Sequence, residues 1–354
     1  MSDEVKPAGR ETYDDRPFVL NPRNLPPEVQ APLGAFKGAT PPSPQWFKDA
    51  IAQQPERTFV ESLGARLEVL TWGEIGKPGL LFAHGNSAHA DWWSFIAPFF
   101  AGDFRVAAFS LAGMGGSDWR ERYAVADFAQ DAETVARAAG LHADGGKPIY
   151  VGHSFGGGLV ISTAASHPDQ MRAAIVIDTG FGPPPPAVAK RKAEADAARN
   201  IPDDRPNRVY PTIEEALARF RLMPPQPTEN TFIVDFIARR SLMRAPLPAG
   251  ETAPDGSGQG WSWRFDPRMW AKLERNAILD TKAPGDLEVP LAHIYGDKSL
   301  IIDFLRRGHL GDFPPGVIEV EIPDCHHHVM IDQPLALVAA LRALLAGCRP
   351  NGAA

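Results

Sequence analysis

The sequence predicts an α/β fold: a mostly parallel central sheet with helices on both faces, interrupted by an inserted, mainly helical segment. Three observations predict it. Apolar runs of strand length alternate with helical stretches from Gly79 onward. Glycine-rich turns close several of those runs. The alternation then stops between Phe181 and Asp286 and resumes at about Val289. Strands that are apolar along their whole length belong to a parallel sheet covered on both faces.

Residues 1–43 are polar and proline-rich without periodicity, and read as an extended or disordered arm. Phe59–Ser62 and Arg66–Trp72 alternate apolar and polar residues around Gly64, the signature of a β-hairpin. Gly79–Ala83 is a short apolar strand ending in His84-Gly85-Asn86. Phe104–Phe109 is the next, followed by the turn Leu111–Asp118, and Asp127–Ala139 reads as a helix. Pro148–Val151 runs into Gly152-His153-Ser154-Phe155-Gly156 and a helix to about Ser166. Ala173–Ile177 is closed by Asp178; Val289–Tyr295 and Val317–Ile322 are the last two strands, and Leu335–Ala346 the last helix. The insertion has charged helical stretches at Ala189–Arg199, Ile213–Leu222 and Thr231–Arg244, and an aromatic run, Trp261–Phe265. It is too long for a loop. The expected division is therefore an arm (1–43), a core in two pieces (44–180 and 287–348) and a subdomain (181–286).

Composition narrows the function. The 354 residues are 44% hydrophobic and 22% charged, with a formal net charge of -7. That is a globular protein with an ample core and no basic face for a nucleic acid. Two cysteines, Cys325 and Cys348, rule out a disulfide framework. Met1–Arg10 lacks the apolar core of a secretory signal, and no run approaches a membrane span of about 18 apolar residues. A cytoplasmic protein with a small-molecule substrate and no nucleic-acid or membrane partner is the expectation; the sequence carries no signature of oligomeric state.

The residues with chemistry cluster at strand ends. Gly152-His153-Ser154-Phe155-Gly156 fits G-x-S-x-G, whose small residues allow a sharp strand-to-helix turn that exposes the serine hydroxyl. The neighbouring pair Gly157 and Gly158 would let the following helix pack closely. A serine hydroxyl needs a base. The run Cys325-His326-His327-His328-Val329-Met330-Ile331-Asp332-Gln333-Pro334 offers three candidates. Consecutive histidines are expected to diverge rather than share a metal, because zinc motifs leave gaps between ligands. No metal and no organic cofactor is expected. Leu111–Asp118 is glycine-rich but lacks the G-K-[ST] and G-x-G-x-x-G frames of nucleotide sites.

From about Phe59 to Ala346 the chain resembles the α/β-hydrolase family. The carriers are the G-x-S-x-G turn, His84-Gly85-Asn86, the Leu111–Asp118 turn and the histidine run. In that family the base sits in a segment like G-H-x-x-x-x-E-x-P. Aligning Asp332 and Pro334 puts the base at His327, with His326 where glycine is usual. The usual acid position, after the strand Val289–Tyr295, reads Gly296-Asp297-Lys298-Ser299, with serine where the aspartate is expected. Some members carry the acid one strand earlier, which makes Asp178 the expected acid and Asp297 the alternative. The resemblance implies an oxyanion hole from the backbone N–H groups of Asn86 and Phe155, with His84 bracing the turn.

The same resemblance makes 181–286 a cap over the pocket. Trp92, Trp93, Phe220, Met223, Trp261 and Trp263, with Phe265 and Trp270, are candidate pocket residues, although aromatics at such spacing usually form core. The leading expectation is hydrolysis of an uncharged, largely apolar ester or lactone. Serine members of the family also cleave carbon–carbon bonds in dicarbonyl compounds or act as cofactor-free haloperoxidases or perhydrolases. Epoxide hydrolases and haloalkane dehalogenases generally use a carboxylate nucleophile, against which Ser154 argues. A non-catalytic ligand-binding receptor is the alternative of another class.

Overall fold

The computed structural model describes residues 25–180, 206–274, 287–306 and 316–348. The expected helix at Ala189–Arg199 lies outside them. The sheet has eight strands: β1 (Glu56–Ser62), β2 (Ala65–Trp72), β3 (Gly79–Ala83), β4 (Arg105–Phe109), β5 (Ile149–His153), β6 (Ala173–Ile177), β9 (Leu291–Gly296) and β10 (Ile318–Ile322). Their order is β1-β2-β4-β3-β5-β6-β9-β10. β1 pairs with β2, and β2 with β4, in antiparallel fashion; every later pair is parallel.

Burial follows the chemistry of each strand. β3, β4, β5 and β6 are buried at every position. β10, with the alternating sequence Ile-Glu-Val-Glu-Ile, lies at the edge and is largely exposed. Charge on an edge strand discourages unwanted pairing. One apolar layer places Phe82, Val151 and Ile175 against Trp93, Phe95 and the C-terminal helix α10 (Pro334–Gly347). The other packs Leu81, Phe109 and Val176 against α3 (Val125–Ala138) and α4 (Phe155–Ser166). The sheet is thus covered on both faces. Among the described residues no helix is long and apolar enough to cross a membrane.

Two regions differ from the sequence-based expectation. Residues 25–43, assigned to the arm, include α1 (Pro27–Gln30) and a 3-10 turn at Gly34–Phe36, and Leu33 is buried. Arg239 Nη2 donates to the Gly38 carbonyl at 2.7 Å, fastening this stretch to the inserted segment. The helix α2 (Gln45–Ala52) buries Phe47 against Phe232 and Phe236 of that segment.

The insertion is more than helical. It holds α5 (Ile213–Leu217), α6 (Thr231–Arg240), the antiparallel pair β7 (Leu242–Pro246) and β8 (Gln259–Trp263), and α7 (Met269–Lys272). The helix expected over Thr231–Arg244 stops at Arg240 because Leu242–Pro246 pairs with the aromatic run instead. Pro246 has no N–H for a helix, and tryptophans favour a pleated surface. Cross-strand partners decided this, which periodicity cannot see.

Candidate active site

Ser154 occupies the single residue between β5 and α4, with φ 53° and ψ −118°. A non-glycine residue at positive φ is strained, and the surroundings must hold it there. The glycines make that possible. A Cβ on Gly152 would lie 2.3 Å from the Gly156 carbonyl oxygen, and one on Gly156 2.5 Å from the His84 carbonyl oxygen. A Cβ on Gly157 would lie 2.0 Å from Thr179 Oγ1, whereas Gly158 faces open space. Only the first of that pair therefore serves close packing. Ser154 N–H donates to the Ile177 carbonyl at 3.0 Å, and Thr179 Oγ1 donates to the Ser154 carbonyl at 3.0 Å, so β6 clamps the turn.

The histidine run follows β10 and brings His327 opposite this turn. His327 Nε2 is 3.0 Å from Ser154 Oγ, and His327 Nδ1 is 2.7 Å from Asp178 Oδ1. An ionised carboxylate only accepts, so Nδ1–H donates to Asp178 and Nε2 keeps the lone pair facing the serine. Asp178 itself has φ 48° and is fully buried. Its Oδ2 accepts from Gly296 N–H at 3.1 Å, and its Oδ1 also accepts from Ser299 Oγ at 2.5 Å. Three donors therefore surround this buried carboxylate.

The alternative acid, Asp297, is turned away. Its Oδ1 accepts the Cys325 N–H at 3.0 Å, and that hydrogen bond, chiefly, lowers its pKa. Ser299, at the position where an aspartate is usual, instead donates to Asp178. Of the three histidines, His326 departs to Asp332, at 2.9 Å from Nδ1 to Oδ2. His328 turns inward and is buried beside Trp92, ring centroids 5.4 Å apart.

The turn after β3 lies against the elbow: a Cβ on Gly85 would be 3.3 Å from Ser154 Cβ. His84 is fully buried, and its Nε2 accepts the Leu111 N–H at 3.0 Å while Nδ1 donates to the Gly85 carbonyl at 2.7 Å. Burial, above all, lowers its pKa to about 3, so it stays a neutral brace. Among the described residues, neither Asn86 N–H nor Phe155 N–H makes a backbone hydrogen bond. Phe155 opens α4, where backbone N–H groups and the helix dipole favour negative charge.

The pocket candidates divide. Trp92 reaches the site through His328. Trp93 is fully buried on Phe82 at 4.7 Å and belongs to the core. Phe220 and Trp263 pack on each other at 5.9 Å, Trp263 also meets Tyr210, and half-buried Trp261 lies under Arg244, all contacts within the insertion. Met223 is 62% exposed. Phe265 bridges to Met114, and Trp270 lies edge-on to Phe155 at 5.6 Å, next to the serine.

Several residues escaped the sequence reading. Gln226, from the insertion, donates to Asp332 Oδ1 at 2.8 Å and accepts the His328 N–H at 2.9 Å, bracing the loop that carries His327. Asn230 Nδ2 donates to the Ile331 carbonyl at 2.8 Å. Nothing in the local pattern could reveal them, since their partners are about a hundred residues away. Glu68 is a third. Burial alone would raise its pKa, but donors Ser110 Oγ and Gly116 N–H with the Arg264 and Arg57 charges lower it. It thereby ties β2 and the Leu111–Asp118 turn to the insertion.

A mostly parallel eight-stranded sheet, with a serine on a strained turn after β5 and a histidine delivered from beyond its last strand, defines the α/β-hydrolase class. Residues 80–341, well over half of the chain, match the Alpha/beta hydrolase family, and the chain belongs to it. The lipase LipV of Mycobacterium tuberculosis is 35% identical over 124 residues, covering 35% of this chain and 42% of its own. Epoxide hydrolase A of the same organism is 27% identical over 333 residues, 83% of this chain and 98% of its own. The first curated relatives are matched over 42%, 41% and 52% of their own length, about half or less. Among solved structures, E-2-(acetamidomethylene)succinate hydrolase superposes with a TM-score of 0.62 at 20% identity, covering 82% of this chain and 99% of its own. That likeness concerns the fold.

Proposed function

We propose that the chain is a serine hydrolase acting on an uncharged, largely apolar ester or lactone. The observation that carries the reading is the relay from Ser154 Oγ through His327 to Asp178, with steps of 3.0 and 2.7 Å. In this reading Ser154 Oγ attacks the carbonyl carbon as His327 Nε2 takes its proton. The buried Asp178 carboxylate stabilises the imidazolium without taking a proton. Asn86 and Phe155 N–H groups receive the developing oxyanion, each such donor contributing roughly 3 kcal/mol in comparable sites. The imidazolium protonates the departing alkoxide, and a water activated by the same Nε2 then releases the acid from Ser154.

A serine at the elbow weighs against ring opening through a carboxylate nucleophile, despite the relative named as an epoxide hydrolase. Segment 181–286 acts as the cap, against the core 44–180 and 287–348. Gln226 and Asn230 support this, because they dock the insertion onto the loop carrying His327. Trp92, packed on His328, and Trp270, edge-on to Phe155, supply apolar rings around the site, in keeping with an apolar substrate.

The test is a fluorophosphonate probe on folded protein, followed by a panel of p-nitrophenyl esters of graded chain length, lactones and a vinylogous diketone. Stoichiometric labelling of Ser154 with ester or lactone turnover is expected. Absence of an adduct would instead favour a ligand-binding receptor. Turnover confined to the diketone would move the reading to carbon–carbon bond hydrolysis.

A further inference from the structure

Beside the nucleophile, three imidazoles converge. His153, His327 and His328 are all buried, and one ring nitrogen from each lies within 4.8 Å of the others. Their ring centroids are 4.8 Å apart for His153 and His327, 4.8 Å for His327 and His328, and 5.5 Å for His153 and His328. Sequence neighbours were expected to diverge, and His326 does. The chain, however, turns into the short helix α9 (Val329–Asp332) at His328, and His327 and His328 both face His153.

Histidines that merely fill a core satisfy their ring nitrogens. Here His153 Nδ1 is buried without a hydrogen-bond partner among the described residues, while the His328 ring faces the backbone carbonyls of Met223 and Pro224. The outer contacts of the other two rings are those of metal ligands. His327 Nδ1–H donates to the Asp178 carboxylate, and His153 Nε2–H donates to the His327 carbonyl at 3.0 Å. A ligating histidine nearly always gives its second N–H to a carboxylate or a backbone carbonyl. Both tautomers are thereby fixed, leaving lone pairs on His327 Nε2 and His153 Nδ1. A cation requires each ring to offer a nitrogen lone pair.

We propose that His153, His327 and His328 bind one divalent transition cation of the zinc class, and that its binding switches off the hydrolase by occupying the His327 lone pair. Zinc–nitrogen bonds of about 2.0–2.1 Å in a tetrahedron place the nitrogens about 3.3 Å apart. From separations of at most 4.8 Å, each ring has to close by less than about 1 Å. Each bond is dative, formed by a ring-nitrogen lone pair. The inhibitory half rests on the proposed acyl-transfer chemistry; the binding half does not.

Tag-free full-length protein titrated with Zn²⁺ by calorimetry, and with Co²⁺ by visible absorption, tests binding directly. One equivalent is expected, with the Co²⁺ spectrum of a four-coordinate nitrogen site. His153→Phe and His328→Phe, which keep ring volume but remove a ligand, should each weaken binding at least about tenfold, the scale at which even outer-shell losses act. His326→Ala should leave it unchanged. Should one phenylalanine variant fail to fold, the other variant and the wild-type Co²⁺ spectrum decide. No one-equivalent binding to wild type, or binding unchanged in the folded variants, overturns the site. Fluorophosphonate labelling of Ser154 should fall with Zn²⁺ occupancy and return with EDTA; labelling that persists at full occupancy overturns the switch. Binding with no labelling even in zinc-free protein would sink the hydrolase reading and the switch, leaving the cation site standing.

Discussion

Replacing Asp178 by asparagine separates the two candidate acids, and the outcome follows from where the donors lie. In the native site Oδ2 accepts Gly296 N–H, while Oδ1 accepts both His327 Nδ1–H and the Ser299 hydroxyl. An asparagine has one oxygen and one NH2 group. With NH2 at the Oδ2 position, two donors would meet at Gly296 in a buried site, a loss of about 1–3 kcal/mol. The oxygen therefore stays with Gly296 and the NH2 faces His327. Ser299 can rotate to accept, but His327 must then present a lone pair at Nδ1 and carry its proton on Nε2. That tautomer cannot receive the Ser154 proton. By analogy with the serine protease triad, Asp178→Asn should lower turnover roughly 10⁴-fold, about 5 kcal/mol in the barrier. Asp297→Asn keeps a carbonyl oxygen for Cys325 N–H and should change turnover less than about threefold. Single-turnover acylation by a p-nitrophenyl ester measures both, with circular dichroism to verify folding. A folded Asp178→Asn within tenfold of wild type, or an equal loss in Asp297→Asn, would refute the reasoning.

Other outcomes follow from the same geometry. Ser299→Ala removes one donor from the Asp178 carboxylate, and a hydrogen bond to a charged group contributes about 1.5–3 kcal/mol, so acylation should slow about tenfold or more; an unchanged rate would mean the 2.5 Å contact is idle. Adjacent glycines should respond oppositely in thermal melts. Gly157→Ala drives a Cβ into Thr179 and lowers the midpoint, whereas Gly158→Ala, in open space within α4, should stabilise by up to about 1 kcal/mol. Equal shifts would contradict the packing. Stability should also fall with acid. Burial, chiefly, lowers His84, His89 and His293 to about 3, 4 and 3, so below pH 6.5 the unfolded chain binds the extra protons. Their contribution is complete above about pH 6.5 and is lost toward pH 4, at up to about 4 kcal/mol per pH unit for the three. Urea midpoints between pH 7 and pH 5 check this, and a flat profile would count against neutral burial.

The sequence by itself determined the order of strands and helices in the core sheet, the elbow at Ser154 and the strand end bearing Asp178, because each is written in contiguous residues. Apolar runs, glycines at a turn and a carboxylate after a strand are local signals, and local sterics and burial enforce them. Tertiary structure decided what depends on distant partners. Asp178 meets His327 across 149 positions, and Asp297 instead accepts the Cys325 N–H. The β7–β8 pair, the Gln226 brace and the inward turn of His328 arise the same way. Such contacts form between groups brought together by chain crossings, and one-dimensional periodicity carries no term for them.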